Sequence, residues 1–307
     1  MSASGGAKAI VAALLANTGI AITKFVAFLV SGSSAMLAES VHSVADAGNQ
    51  LLLLIGGRRA RKAADSEHPF GYGRERYIYA FVVAIILFSI GGVFSLYEGV
   101  SKLQDPHPLE NAWLPIVVLL IAIGLESYSL RTAVRESNHV RGTQGWIQFI
   151  RRAKAPELPV VLLEDVAALL GLTFALFGVG LTILTGDSMW DAVGTIMIGV
   201  LLVIVAVVLG LETSSLLVGE GASADDVRAI RAALDSHDDV TSVVHMKTLY
   251  LGPDELLVGA KVSFEPGTSI ERVVVIIDDL EVAVRTAVPI ARVIYIEPGL
   301  ERVTART

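Results

Sequence analysis

Six stretches of this chain, about residues 8–30, 34–57, 77–103, 112–132, 157–184 and 189–217, are apolar for roughly the 20 residues an α-helix needs to cross a bilayer. With 53% of residues hydrophobic and only 18% charged, one water-soluble core could not cover them all, and the chain reads as a helical membrane protein. The connections separate into two kinds. The second-to-third carries Arg58, Arg59, Arg61, Lys62, Arg74 and Arg76, and the fourth-to-fifth carries Arg135, Arg141, Arg151, Arg152 and Lys154. The connections SGSS, QDPHPLEN and TGDS hold no basic residue. Short basic loops stay in the cytoplasm. Six spans with both termini cytoplasmic put both basic connections on that side.

Residues 142–155, GTQGWIQFIRRAKA, are too short to span, and Trp146, Ile147, Phe149 and Ile150 before basic residues suggest an amphipathic segment on the inner membrane surface. The character changes after Gly219. SADDVRAIRAALDSH and SIERVVVIIDDLEVAVRTAV read as helices, and TSVVHMKTLYL, ELLVGAKVSF and ARVIYIEP as strands. This α-β-β-α-β order predicts a small α+β ferredoxin-like domain over 220–300, cytoplasmic because the sixth span exits there. The expected division is 1–217 for the six-helix membrane domain, 220–300 for the ferredoxin-like domain and 301–307 for a tail.

Inside the second apolar stretch, AESVHSVADAGN places Glu39, His42, Asp46 and Asn49 along one helical face. Ionisable groups at membrane depth face a bundle interior or a water-filled cavity. The fifth stretch adds Glu164 and Asp165. At about 1.5 Å per residue, Asp46 lies about 18 Å below the outer surface and Asp165 about 12 Å above the inner one. In a hydrocarbon core of about 30 Å these depths coincide. His42, Asp46 and Asp165 can therefore meet around one ion. One imidazole, two carboxylates and no sulfur suit Zn²⁺, Mn²⁺, Fe²⁺ or Co²⁺ better than Mg²⁺ or Ca²⁺. Glu39, nearer the outer surface, suits snorkelling or a vestibule as well as completing a metal shell. Asn49 is a completing group or a helix-packing hydrogen bond. Glu164 points about 100° away from Asp165 on a helix, so one of the two serves another purpose.

A net charge of −7 argues against nucleic acid as a partner. Zero cysteines rule out disulfides and thiolate ligands. MSASGGAK lacks the pattern of a signal peptide, so the first apolar stretch is expected in the mature protein. No H-E-x-x-H motif marks a metallohydrolase, and the chain is not expected to be an enzyme or to hold a prosthetic group.

The chain resembles the cation diffusion facilitators over essentially its whole length. His42-x-x-x-Asp46 matches the family's second-helix pair, Asp165 the last residue of the fifth-helix pair, and HPFGYGRER the signature loop. Asn17, Lys24 and SGSSAMLAES fit the first helix and the turn after it. The resemblance implies a homodimer in a membrane, expected to be a bacterial cell membrane, that exports divalent metal in exchange for protons by alternating access. Zn²⁺ is the first expectation, with Mn²⁺, Fe²⁺ and Co²⁺ open. Three positions depart from the pattern. Val161 stands where the fifth helix usually has His or Asp, so Glu164, Asn49, backbone or water must complete the shell. The loop site keeps Asp65 and His68 but has Tyr72 for its second His, which leaves a weak metal site or a structural loop. In the tail domain His245 and Glu297 fall near positions that metal-binding relatives use, while Ala260 or Lys261 and Tyr295 stand where others have ligands, which favours a metal-free domain that dimerises. A membrane metal sensor or scaffold that binds without transport is the competing expectation.

Overall fold

The structure, a computed structural model, describes residues 3–109, 111 and 113–300, with side chains from residue 17 onward. The expected tail at 301–307 lies outside the described residues. Every long apolar stretch is helical, because a helix satisfies its own backbone where lipid offers no partners. The helices are α1 (Ala3–Ser31), α2 (Ser34–Arg59), α3 (Glu75–Ile86), α4 (Phe94–Gln104), α5 (Trp113–Arg141), α6 (Trp146–Arg152), α7 (Glu157–Thr185) and α8 (Met189–Val218). A π-helical stretch, Leu87–Val93, joins α3 to α4, so the third span is one long element.

Four of these, Glu75–Gln104, Trp113–Arg141, Glu157–Thr185 and Met189–Val218, are long and apolar enough to cross a membrane, and Asn17–Ser31 is a shorter apolar stretch. The 26 residues of α2 reach about 39 Å at about 1.5 Å each. Its buried Glu39, His42 and Asn49 make it less apolar than the other four.

Glycines let the membrane helices touch. A Cβ on Gly178 of α7 would fall 2.8 Å from the Trp190 carbonyl, and one on Gly194 of α8 2.8 Å from the Phe174 carbonyl. Backbone-to-backbone approach of this kind is the usual basis of helix packing in lipid. The turn between α7 and α8 closes on Gly186, whose φ of 72° is left-handed and whose N–H reaches the Thr182 carbonyl at 2.9 Å. The core of the bundle includes Met36, Leu87, Leu119, Leu172, Ile198 and Leu202.

The C-terminal unit contains α9 (Ala224–Asp235), β1 (Val240–Gly252), β2 (Glu255–Phe264), α10 (Ile270–Ala287) and β3 (Ala291–Pro298). Ser223 and Ser269 cap the two helices, accepting from the N–H groups of Asp226 and Arg272. The sheet order is β1-β2-β3, antiparallel between β1 and β2 and parallel between β2 and β3. A ferredoxin-like sheet separates its parallel pair with another strand. Here β2 and β3 bond directly, so the unit is a three-stranded, shortened form of the expected fold. Leu256, Val258, Ala260 and Val262 alternate onto the buried face of β2, where Ile230, Leu234, Ile276 and Leu280 belong to the same core.

The chain divides into two compact units, and the loop Arg59–Glu75 groups with the C-terminal one rather than with the helices it connects. A Cβ on Gly73 would fall 2.7 Å from the Leu251 carbonyl, a closeness only glycine permits.

Candidate metal centre

Helical spacing brings His42, Asp46 and Asn49 to one face of α2, as the sequence reading requires. His42 is 1% exposed, and neither ring nitrogen has a hydrogen-bond partner. Its Nε2 faces Asp46 Oδ2 at 3.5 Å, and Asp46 Oδ1 is buried without a donor. From α7, Glu164 Oε1 accepts from Asn49 Nδ2 at 2.7 Å. Asp165 Oδ2 accepts from Ser129 Oγ of α5 at 3.1 Å.

Asp46, Glu164 and Asp165 line one cavity of about 100 Å³, together with Val161, Glu126 and Ser129. Asn17, Ser43 and Gln50 close it toward α1 and α2, and Asn17 Nδ2 donates to Gln50 Oε1 at 3.2 Å. A water molecule's share of the liquid is about 30 Å³, so the cavity has room for a cation that keeps part of its hydration shell. His42 lies behind Asp46 rather than on the described lining. Among the described residues, no three His, Asp or Glu side chains converge closely enough to hold one ion as they stand. The two aspartates of the sequence reading thus share a cavity, and His42 touches one of them.

One of the readings open for Glu39 is overturned. Instead of snorkelling toward the outer surface it is fully buried, and Lys24 Nζ donates to its Oε2 at 2.9 Å and to Ser43 Oγ at 2.8 Å. A Cβ on Gly171 would fall 2.7 Å from Glu39 Oε1, so the carboxylate tip packs directly on the α7 backbone. At the start of α2, Asp191 of α8 accepts from Ser33 Oγ (2.6 Å), Ser34 N (2.8 Å) and Ser34 Oγ (3.0 Å). At the start of α7, Glu157 is held by a two-pronged pair with Arg76, one arm at 2.9 Å. The amphipathic segment is realised as α6, with Phe149 buried beside Ala133 and Leu162, Ile147 exposed, and Arg141 4.3 Å over the Trp146 ring.

The accessory candidates are occupied by the protein's own donors. Asp65 Oδ2 accepts from Lys62 Nζ (2.8 Å) and Tyr72 OH (2.7 Å), and Oδ1 from the N–H groups of Glu67 (3.1 Å) and His68 (2.8 Å). Lys62 first, then Tyr72 and the His68 N–H, hold the Asp65 carboxyl well below the usual carboxylate range. His68 Nδ1 stands 3.6 Å from Asp65 Oδ1, its ring against Tyr72. In the sheet, Lys261 lies in register between His245 on β1 and Glu297 on β3, and its Nζ pairs with Glu297 Oε1 at 2.8 Å. A lysine ammonium therefore stands where a metal would have to bridge them.

The sequence reading missed Glu126 and Ser129 on the fourth span and Asp191 at the start of the sixth. An acid near the middle of an apolar helix was the available signal for Glu126.

These features define a helical membrane protein with an acidic cavity inside its bundle. Residues 10–218 match the cation efflux transmembrane domain, and the chain belongs to that family, the cation diffusion facilitators. It is 30% identical over 268 residues to "Proton-coupled zinc antiporter SLC30A9, mitochondrial" of Xenopus laevis, covering 86% of this chain and 48% of that protein. It is likewise 30% identical over 259 residues to "Metal tolerance protein C4" of Arabidopsis thaliana, covering 84% and 57%. A shorter match, 32% over 119 residues, covers 39% of this chain and 36% of "Zinc transporter ZitB" of Pectobacterium atrosepticum. The chain spans about half the length of the first two.

Proposed function

We propose that this protein exports a divalent transition metal, Zn²⁺ foremost with Mn²⁺, Fe²⁺ and Co²⁺ as alternatives, in exchange for protons. The observation that carries this reading is the shared cavity: Asp46 of α2 and Asp165 of α7 border one space, with unpartnered His42 behind Asp46. Metal binding needs ionised carboxylates and a neutral imidazole, so metal and protons compete for the same lone pairs. Alternating access follows if the cation favours one arrangement of α2 against α7 and the protonated groups favour the other. The relatives' names, a proton-coupled zinc antiporter and a zinc transporter, support the same cargo and coupling.

On this reading α1, α2, α3 with α4, α5, α7 and α8 are six spans, residues 1–217 form the transport domain and 220–300 a cytoplasmic domain. Both basic connections then lie on the cytoplasmic side with both termini. The protein works as a homodimer in a cell membrane, bacterial in our assignment. The ion binds at His42, Asp46 and Asp165, while the loop at Asp65 and His68 and the sheet at His245 and Glu297 stay metal-free, because lysines already pair with their carboxylates.

The test is flux into proteoliposomes loaded with a pH dye, with Zn²⁺, Mn²⁺, Fe²⁺, Co²⁺ and Cd²⁺ tried singly. Metal movement against protons, lost in Asp46→Ala and Asp165→Ala, is the expected result. Flux retained in either variant removes that residue from the site. Tight binding without flux identifies a membrane metal sensor instead.

A further inference from the structure

Glu126 lies near the middle of α5, and Ser129, three residues on, shares its helical face. Both border the cavity of about 100 Å³ with Asp46, Glu164 and Asp165. Four carboxylates therefore face one small space, and its described lining includes no lysine, arginine or histidine. Ionised together they repel one another, and a divalent cation among them reverses the sign of that interaction. His42, 1% exposed with both ring nitrogens unpartnered, directs Nε2 at the cavity's Asp46, whose own Oδ1 is buried without a donor. One imidazole lone pair and one carboxylate oxygen are thus left without a protein partner, where buried polar groups otherwise find one. Ser129 already ties α5 to the α7 acid through its 3.1 Å bond to Asp165. Val161, one turn before Asp165, also faces the cavity and offers no ligand atom.

We propose that Glu126 supplies from the fourth span the carboxylate that α7 lacks at Val161, so that a partly hydrated divalent cation is held by Asp46, Glu126 and Asp165 together with His42 beside Asp46. The proposal rests on the metal-transport reading and adds a ligand from a third helix. Space for water and a mostly oxygen donor set imply six-coordination rather than a closed tetrahedral shell. Glu126 then helps decide which metals enter.

The test uses the full-length chain in detergent, titrated calorimetrically with Co²⁺ or Mn²⁺ alone, with the visible spectrum of bound Co²⁺ recorded. Weak six-coordinate Co²⁺ bands are expected from the native chain, and intense tetrahedral bands would overturn the hydrated site. Glu126→Gln should weaken binding by about tenfold or more, and adding Val161→Asp to it should recover most of the loss. A merely structural Glu126 would not be rescued from α7. If Glu126→Gln does not fold, Val161→Asp in the native chain decides, with tighter Co²⁺ binding and an altered spectrum expected, and unchanged binding overturning the proposal. Native affinity in Glu126→Gln, with binding lost in Asp46→Asn, removes Glu126 and leaves the two-aspartate site standing. Native affinity in Asp46→Asn and Asp165→Asn removes both readings.

Discussion

Lys24 Nζ lies 2.9 Å from Glu39 Oε2, with the two side chains 1% and 0% exposed, making an ion pair closed off from solvent between α1 and α2. Breaking such a pair leaves a buried charge without a partner, which typically costs about 3–5 kcal/mol. Lys24→Met and Glu39→Gln should each lower the melting temperature in detergent sharply. The double variant should recover part of the loss. Additive losses would show that the two side chains act independently.

Asp191 joins the first turn of α2 to α8 through three short hydrogen bonds from Ser33 and Ser34. Asp191→Ala leaves those donors buried without an acceptor, at about 1–3 kcal/mol. Thermal unfolding should register that loss. Asp191→Asn, which keeps one acceptor oxygen, should be milder, and equal losses would mean that charge rather than hydrogen bonding holds the junction.

The loop at Asp65 should be pH-sensitive in a definite direction. Its folded carboxyl titrates below the unfolded value of about 3.9, so its contribution is present above that value and fades as pH falls toward the folded one. Proteolytic protection of residues 59–75 should hold at neutral pH and fall in acid. Asp65→Asn should be less protected at neutral pH and insensitive to acidification. A loop equally protected in the variant would place its stability elsewhere.

Close packing of α7 on α8 predicts that Gly178→Ala overpacks, since the new Cβ would meet the Trp190 carbonyl at 2.8 Å. The expected cost is about 1–3 kcal/mol, read as a lowered melting temperature. Gly180→Ala, where a Cβ would meet nothing within 4 Å, is the control and should be neutral or slightly stabilising.

Much of this architecture is legible in the residues alone. Apolar length gives the helices of the third to sixth spans, and spacing gives the face of α2 that holds His42, Asp46 and Asn49. Patterning gives the order of the C-terminal elements, though not that β2 and β3 would bond directly. A constant rise per residue and a fixed core thickness put Asp46 and Asp165 at one depth, and both aspartates line one cavity. For Glu39 only the snorkelling reading fails, because depth along α2 says nothing about which neighbour it meets. Lys24, fifteen residues earlier, reaches it from α1.

The sequence by itself determined which segments are helices or strands and which residues share a face, because those follow from local backbone geometry and a fixed helical period. The tertiary structure decided which faces meet. It brought Glu126 and Ser129 of α5 beside Asp165, set Lys24 against Glu39, and put Lys261 between His245 and Glu297. Such encounters depend on helix and strand neighbours far apart in the chain, and a one-dimensional period contains no information about them.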